Sequence, residues 1–204
     1  MSAQPGQVFV VDDDAVTLLM LAGILRAAGH AVQTFQRPEA LLEALSDRHR
    51  GCVVVDLRMP GLNGLELQQA LVARAVSLPL IFVSGRADVP AAVAAMKGGA
   101  VDFLSKPVEP AELCAAVERA QRTDAELAAR RADIERARAS WAELSPRERE
   151  VCRLFARGLA DKQIGGVLGT ALSTVQAQRT RALQKLKVGS VAELVRLLSL
   201  TDSV

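Results

Sequence analysis

Five side chains with complementary chemistry each follow a short apolar run, although the runs lie far apart in the sequence. They are the carboxylates Asp12, Asp13 and Asp56, the hydroxyl of Ser84 and the ammonium of Lys106. Adjacent carboxylates repel one another by roughly 1 kcal/mol in water and by more near a protein surface, which predicts a cation beside Asp12 and Asp13. Carboxylate oxygens suit a hard, mostly hydrated cation such as Mg²⁺, and a hydroxyl and an ammonium can hold phosphoryl oxygens. Gathered at one place, these groups would support metal-assisted phosphoryl chemistry.

The elements that would gather these groups are five predicted strands, each followed by a helical pattern. The strands are Val8–Val11, Ala31–Phe35, Cys52–Val55, Leu78–Val83 and Val101–Leu104. Alternating strands and helices predict an α/β fold in which a parallel sheet has right-handed crossovers and helices on both faces. The carboxyl ends of parallel strands share one edge of the sheet, where such folds bind ligands. We therefore expect the three carboxylates, Ser84 and Lys106 to converge at that edge.

Each aspartate also has a simpler interpretation, as a turn residue or as a helix N-cap. Asp14 fits it well, because it directly precedes the helix that is predicted to begin at Ala15. For any single aspartate we favour this interpretation. Asp, Asp, Ser and Lys together at four separate strand ends instead favour a functional site.

Residues 7–120 resemble the receiver domains of two-component response regulators, through the motifs VVDDD, VVVDLRMPGLNGLEL, FVSGRAD and MKGGAVDFLSKP. The resemblance implies a flavodoxin-like fold with five parallel strands. It identifies Asp56 as the phosphoacceptor, with Ser84 and Lys106 holding the phosphoryl group. It also implies Mg²⁺ or Mn²⁺ bound by Asp12, Asp13, Asp56 and the backbone carbonyl of Arg58. The phosphoryl group would come from a sensor histidine kinase or a small phosphodonor.

The resemblance also implies a conformational switch. Phe103 stands at the aromatic switch position of the family, and a plain core aromatic is the alternative if the site is inactive. On phosphorylation, Ser84 would move toward the acyl phosphate, Phe103 would turn inward and the surface over about 89–118 would repack. Pro107 follows Lys106 at the position of a family proline that often has a cis peptide bond.

Haloacid-dehalogenase-like phosphatases also use an aspartyl nucleophile with Mg²⁺, but they need a second acidic residue two positions later. Here that position holds Arg58, which cannot act as a general acid or base. No GxxxxGK[ST] loop for nucleotides is present, and a total of two histidines argues against histidine-dependent catalysis. We therefore predict a regulator and not an enzyme, with a phosphotransferase or phosphatase acting on outside substrates as the third hypothesis.

Residues 111–140 contain no glycine or proline, so the fifth helix is expected to continue as a long charged helix. Leu127, Ile134 and Trp141 recur at every seventh residue. The complementary seam positions are charged, namely Asp124, Arg131 and Arg138. This half-filled heptad pattern favours a solvated helical linker, and helix pairing in a dimer is the alternative.

Four short helices are predicted over residues 144–199, two of them joined by a glycine-containing turn as in a helix-turn-helix. The first begins at Ser145-Pro146-Arg147-Glu148, which supplies an N-cap, a first-turn proline and a capping-box glutamate. The stretch LSPREREVCRLFARGL, followed by STVQAQRTRALQKLKVGSVAELVRL, resembles the four-helix DNA-binding domain of the LuxR/NarL/FixJ class.

The third of these helices carries the predicted DNA contacts. The face predicted to read base edges consists of Ser173, Gln176, Ala177 and Thr180. The residues predicted to meet phosphates are Thr174, Arg179, Arg181, Lys185 and Lys187. For each basic residue taken alone, a solvated helix face is the alternative. The residues of this helix expected in the core are Val175, Leu183 and Leu186.

The sequence departs from this class at Gln176 and Gln178, where a basic residue and a histidine are usual. Ala171 stands where a capping Ser or Thr is common. Gly165-Gly166 lies inside the supporting helix, where each glycine costs roughly 1 kcal/mol relative to alanine. Fewer charges predict weaker nonspecific DNA binding with a shallower salt dependence. We therefore expect a monomer that binds DNA weakly until phosphorylation dimerises it.

Charge divides the 204 residues into an acidic front and a basic tail. Residues 1–122 carry 11 basic and 13 acidic side chains, residues 123–140 four of each, and residues 141–204 ten basic and six acidic. We predict a receiver domain over 1–122, a helical linker over 123–140 and a DNA-binding domain over 141–204.

Other features of the composition predict the environment of the protein. No apolar run approaches the ~20 residues of a membrane helix and the first residues do not form a signal peptide, so we expect a cytoplasmic protein that does not contact membranes. Three separated cysteines without a CxxC or Cys/His pattern predict buried thiols.

These features predict a two-component response regulator, in which Mg²⁺-dependent phosphorylation of Asp56 by a sensor histidine kinase switches dimerisation and DNA binding to control transcription. The expected partners are the kinase, promoter DNA, a second copy of the chain and RNA polymerase. The alternative is a phosphorylation-independent transcription factor that uses the receiver for protein interaction or dimerisation.

Overall fold

The computed structural model describes residues 6–46, 49–85 and 89–201. The strands are β1 (Gln7–Val11), β2 (Val32–Phe35), β3 (Gly51–Asp56), β4 (Leu80–Ser84) and β5 (Asp102–Ser105). The helices that alternate with them are α1 (Ala15–Ala27), α2 (Pro38–Ala44), α3 (Gly64–Ala73), α4 (Val89–Lys97) and α5 (Pro110–Ala142). The later helices are α6 (Pro146–Ala156), α7 (Asp161–Leu168), α8 (Leu172–Leu186) and α9 (Val191–Thr201). The end of the FVSGRAD motif, Arg86 to Asp88, lies outside the described residues.

The five strands form one parallel sheet in the order β2-β1-β3-β4-β5. This order confirms the predicted α/β fold with a flavodoxin-like topology. The chain passes from β2 to the far side of β1 to form β3, so the strand order reverses between β1 and β3. In parallel sheets this reversal opens a crevice at the carboxyl ends of the two strands.

Alternate side chains of the strands enter two separate hydrophobic cores. On one face, Val53 and Val55 of β3 pack with Phe82 of β4 in a cluster that includes residues of α2, α3 and α4. On the other face, Cys52 and Val54 lie in a cluster that includes residues of α1 and α5. Because both faces of the sheet are covered, the central strands can consist of continuous apolar residues.

Helix α1 starts where the sequence predicts, but its exposed face includes large apolar residues. Asp14 caps the helix, since its carboxylate accepts hydrogen bonds from Val16 N at 3.0 Å and from the Thr17 hydroxyl at 2.8 Å. Leu21 and its helical neighbours face the core, but Val16 and Leu19 are 74% and 73% exposed. Two large apolar residues of α1 therefore belong to the surface.

Helix α5 runs without interruption from Pro110 to Ala142. The chain divides into two compact units, Met1–Leu127 and Ala128–Val204, and the division falls inside this helix. Asp124, which the heptad pattern suggested to be a solvated seam position, is instead buried in the first unit. Its carboxylate accepts hydrogen bonds from Arg50 Nε at 3.0 Å and from Gly51 N at 2.9 Å. This ion pair ties α5 to the amino end of β3.

The second unit contains a helix-turn-helix. The capping box of α6 is formed as predicted, because the side chains of Ser145 and Glu148 each accept a hydrogen bond from the other residue's backbone. In α8, Val175 and Leu186 are buried and Leu183 is partly buried against the core, as expected. Among the described residues, no helix combines the length and apolar character that a membrane span requires.

All three cysteines are free thiols. Cys52 and Cys152 are buried, and burial raises their thiol pKa to about 12 and about 11. Cys114 in α5 is only half-buried, so the prediction of buried thiols holds for two of the three.

Candidate functional site

The carboxyl edge of the sheet holds the predicted acidic and basic groups together. Asp12 directly follows β1, Asp56 is the last residue of β3, Ser84 is the last residue of β4 and Lys106 directly follows β5. The parallel register brings these ends into line, because Asp56 pairs with Val83 and Ser84 pairs with Ser105. The backbone of Lys106 is fixed as well, since its N–H donates to the carbonyl oxygen of Ser84 at 2.7 Å.

Lys106 joins the two buried carboxylates. Its Nζ donates to Asp12 Oδ2 and to Asp56 Oδ1, each at 2.6 Å. Asp12 is 1% exposed and Asp56 is 7% exposed, so water screens the repulsion between their charges only weakly. One ammonium shared by two carboxylates leaves this pocket with an excess of negative charge.

The charges of the pocket shift the protonation of its members. Burial raises the pKa of Asp12, and hydrogen bonds from Lys106 and from the Asp14 N–H oppose that rise. Burial would lower the pKa of the Lys106 ammonium, but hydrogen bonds to Asp12 and Asp56 outweigh it and raise this pKa. Lys106 is therefore a cation at neutral pH, held by the carboxylates that need it.

Asp56 is oriented by the backbone that follows it. The Arg58 N–H donates to Asp56 Oδ2 at 2.6 Å, while Asp56 Oδ1 faces Lys106. The side chain of Ser84 is also buried at this edge, with 2% of the residue exposed. Each oxygen of the Asp56 carboxylate therefore has a fixed donor.

A divalent cation fits the oxygen ligands of this edge. Within the described part of the chain, no three His, Cys, Asp or Glu side chains gather closely enough to hold a metal ion by themselves. Asp12 and Asp56 converge on one point, marked by Lys106 Nζ, while Asp13 is exposed beside Asp12. Mg²⁺ keeps several of its waters and binds through one or two carboxylates, so this donor set suits it.

Phe103 lies on the strand beside the pocket. It is half-buried and stacks on Phe82 of β4, with the ring centroids 6.4 Å apart. The peptide bond between Lys106 and Pro107 is cis.

A second surface is formed by α8. The predicted base-reading residues Ser173, Gln176, Ala177 and Thr180 are all exposed, as are Thr174, Arg181, Lys185 and Lys187. All of them lie on α8 except Lys187, which is its C-cap, and three residues connect α7 to α8, as in a helix-turn-helix whose second helix enters the major groove.

Two of the predicted phosphate contacts have partners inside the unit. Arg179 Nη1 lies 2.7 Å from Asp161 Oδ1, and its guanidinium stacks over the Phe155 ring. Lys185 Nζ lies 2.8 Å from Glu148 Oε2, and this hydrogen bond lowers the pKa of Glu148. Both cations link α8 to neighbouring helices, which fixes the orientation of the exposed face.

Sequence reasoning missed several residues that shape this surface. Arg147 binds the turn between α7 and α8, and Asp161 receives Arg179. The N-caps of α7 and α8 are Ala160 and Ala171, and neither side chain accepts a hydrogen bond from the helix that it precedes. The absence of a capping residue at both starts was the available signal that tertiary contacts must hold them.

Each of the two units matches a family of known proteins. The model of the response regulator receiver domain matches residues 8–118, and that of the bacterial regulatory proteins of the luxR family matches residues 142–198. The transcriptional regulatory protein FixJ of Bradyrhizobium diazoefficiens is 41% identical, over 94% of this chain and 94% of its own length. Nodulation protein W of the same organism is 38% identical, over 93% of this chain and 84% of its own length.

A solved structure shares this architecture over nearly the full length. The response regulator StyR is 40% identical, with a TM-score of 0.83, over 96% of this chain and 99% of its own.

Proposed function

Because the chain belongs to the FixJ/NarL class of two-component response regulators, which control transcription, we propose that Asp56 is its phosphoacceptor. The observation that carries this proposal is the position of Asp56. Its carboxylate is buried at the end of the central strand β3, and the Lys106 ammonium lies 2.6 Å from it. Ser84 and Asp12 lie at the neighbouring strand ends.

The fixed donors leave Asp56 suited to attack phosphorus. A carboxylate oxygen forms the new O–P bond while the bond from phosphorus to the nitrogen of the kinase histidine, or to the oxygen of acetyl phosphate, breaks. The Arg58 N–H holds one carboxylate oxygen, so the plane of the carboxylate is set before the phosphoryl group arrives. The Lys106 ammonium can stabilise the negative charge that the phosphoryl oxygens bring.

Receiver domains use Mg²⁺ for phosphorylation, and here we propose Asp12, Asp13, Asp56 and the Arg58 carbonyl as the groups that would hold Mg²⁺ or Mn²⁺. The metal ion would supply charge neutralisation for the phosphoryl oxygens. Ser84 would hydrogen-bond the phosphoryl group, and Phe103 would move with it. We propose the receiver over residues 1–122, a linker over 123–140 and the DNA-binding domain over 141–204.

The family implies a sensor kinase and DNA as partners, and we propose α8 as the DNA contact. Its exposed Ser173, Gln176, Ala177 and Thr180 would read bases, and Thr174, Arg181 and Lys187 would meet phosphates. Arg179 and Lys185 would contribute while keeping their ion pairs. A second copy of the chain would bind when Asp56 is phosphorylated, and RNA polymerase is the further partner of a regulator at a promoter.

Intact mass spectrometry after incubation with Mg²⁺ and acetyl phosphate tests the phosphoacceptor. We expect one phosphoryl adduct on the wild-type protein and none on D56N, which keeps the shape of the side chain but loses the nucleophile. Addition of EDTA should abolish the adduct. The control D14N changes a neighbouring exposed aspartate to an equally good N-cap residue, so it should be phosphorylated like the wild type.

An adduct that persists on D56N would place the phosphoacceptor elsewhere. The absence of an adduct on the wild type, both with acetyl phosphate and with a set of histidine kinases, would favour the phosphorylation-independent regulator.

A further inference from the structure

The recognition helix α8 begins without the local support that helices usually have. Its N-cap is Ala171, whose methyl side chain cannot accept hydrogen bonds from the free N–H groups of the first turn. Thr170 precedes it and is tied to α7, because its N–H donates to the Gly165 carbonyl at 2.9 Å. The position of α8 therefore depends on how residues 168–171 are held.

Arg147, in the first turn of α6, holds this segment from outside. Its Nη2 donates to the Thr170 hydroxyl at 2.6 Å and to the carbonyl oxygen of Leu168, the last residue of α7. Its Nη1 donates to Glu150 at 2.8 Å, which fixes the guanidinium on α6. A planar guanidinium with several donors can bind a carbonyl and a hydroxyl at the same time.

The turn itself is built to receive these bonds. Gly169 adopts the left-handed conformation that ends α7, and the Thr170 hydroxyl also contacts the Leu168 carbonyl at 3.2 Å. Arg147 thus joins both sides of the glycine. It lies on α6, outside the exposed face of α8 that we propose for DNA contact.

We propose that Arg147 is a positioning residue for DNA recognition, which fixes the start of α8 in place of the missing N-cap. The consequence for affinity rests on the proposed contact between α8 and DNA. The hydrogen bonds from Arg147 to Leu168 and Thr170, which we call the clamp, are a property of the free protein. The clamp can therefore be measured without DNA.

Amide hydrogen exchange of the full-length protein tests the clamp directly. The N–H groups of Thr174 and Val175 both donate to the Ala171 carbonyl, so they report the first turn of α8. We expect R147A to speed their exchange about tenfold, because two hydrogen bonds from a charged donor are lost. The reference is the N–H of Leu194 in α9, which should change little because it donates to the carbonyl of Ser190, outside the segment 168–171 that Arg147 holds.

Three further variants separate the clamp from a general loss of stability. T170V removes only the hydroxyl that accepts from Arg147, and it should also speed the exchange of the same two amides. It therefore tests the clamp even if R147A is too unstable to study. A171S in the R147A background restores a local cap and should recover most of the lost protection. The matched control R149A removes an arginine that also binds two backbone carbonyls, those of Trp141 and Ala142, and should leave α8 unchanged.

The clamp is overturned if the α8 amides exchange at the wild-type rate in both R147A and T170V. It is equally overturned if Leu194 accelerates as much as Thr174 and Val175, since the loss would then be global.

DNA binding supplies a second, separate measurement. The probe is a duplex that the phosphorylated wild-type protein enriches from a pool of random sequences. R147A should weaken its binding about tenfold without changing the slope of affinity against salt, because no phosphate contact is lost. A slope lowered by about one would assign Arg147 to a phosphate contact and overturn the positioning role. Failure to enrich any duplex would contradict the proposed DNA surface, while the exchange rates would still decide the clamp.

Discussion

At the level of single residues, the Lys106 ammonium explains how two buried carboxylates can lie side by side. Burial raises the pKa of Asp12, so the folded protein holds that proton more tightly than the unfolded chain does. Ionisation of Asp12 near neutral pH therefore costs stability, and the cost appears as the pH rises through its raised pKa. The Lys106 ammonium, 2.6 Å from both Asp12 and Asp56, offsets that cost.

Removal of this cation should make stability strongly dependent on pH. We expect K106M to lower the free energy of unfolding by about 1.5–3 kcal/mol at pH 7, the net contribution of a hydrogen bond to a charged group. The deficit should shrink as the pH falls through the raised pKa of Asp12, because its protonated carboxyl group no longer requires a neighbouring cation. Urea unfolding of K106M and wild type at several pH values measures the difference.

The matched control is K97M, which removes an exposed lysine in the last turn of α4 and should cost only a few tenths of a kcal/mol. A deficit of K106M that stays constant from pH 4 to pH 7 would mean that lost packing, and not the charge of Lys106, determines its effect.

The sequence predicted most of this site, but not the side-chain partners. Asp12, Asp56, Ser84 and Lys106 could be placed together because parallel strands align their carboxyl ends. The ion pair of Arg179 with Asp161 could not be predicted, because it depends on how α7 packs against α8. Patterns along one chain segment fix which element a residue belongs to, whereas its partner depends on tertiary packing.

At the level of elements, helix α7 shows how packing can reverse the meaning of a residue. Gly165-Gly166 reads in the sequence as two costly interruptions of a helix. In the structure, a Cβ atom at Gly165 would lie 2.7 Å from the Thr170 carbonyl oxygen, whereas a Cβ at Gly166 would meet nothing within 4 Å. Both glycines carry the helix penalty, but only at Gly165 does the missing Cβ permit the close approach of the turn.

The two glycines should respond oppositely to the same substitution. We expect G166A to stabilise the second unit by about 0.5–1 kcal/mol, through the better helix propensity of alanine. G165A should destabilise it, because the rigid backbone of Thr170 must move. Thermal unfolding of the two variants compares them, and each serves as the other's control. Equal stabilisation by both would show that the turn yields easily and that the close approach is unimportant.

Helix α5 shows where prediction from pattern fails at this scale. Its length followed from the absence of glycine and proline, but the role of Asp124 did not. A heptad reading treats an aspartate as a surface residue, yet this one is 3% exposed and paired with Arg50. Only the fold places the amino end of β3 next to this turn of α5, so no local pattern could have revealed the pair.

At the scale of the whole molecule, the proposed switch needs a surface on which two copies can meet. Helix α4 presents Val89, Val93 and Met96, which are 69%, 47% and 48% exposed. Helix α5 follows β5, and Arg119 on α5 forms an ion pair with Asp102 on β5. An apolar patch beside fixed charges is typical of an interface with an apolar centre and a polar rim.

A charge in the centre of this patch should therefore block assembly without affecting the chemistry at Asp56. We expect V93E to accept one phosphoryl group from acetyl phosphate like the wild type, but to dimerise at least about tenfold more weakly, because an unpaired carboxylate would be buried. Sedimentation velocity of the phosphorylated proteins measures the dimer, and mass spectrometry confirms the adduct. The control V72E places the same charge on α3, where Val72 is 70% exposed, and should dimerise normally. If V72E fails to dimerise while V93E succeeds, the contact between copies lies on α3. If neither substitution weakens the dimer, the two copies meet on a surface that includes neither Val93 nor Val72.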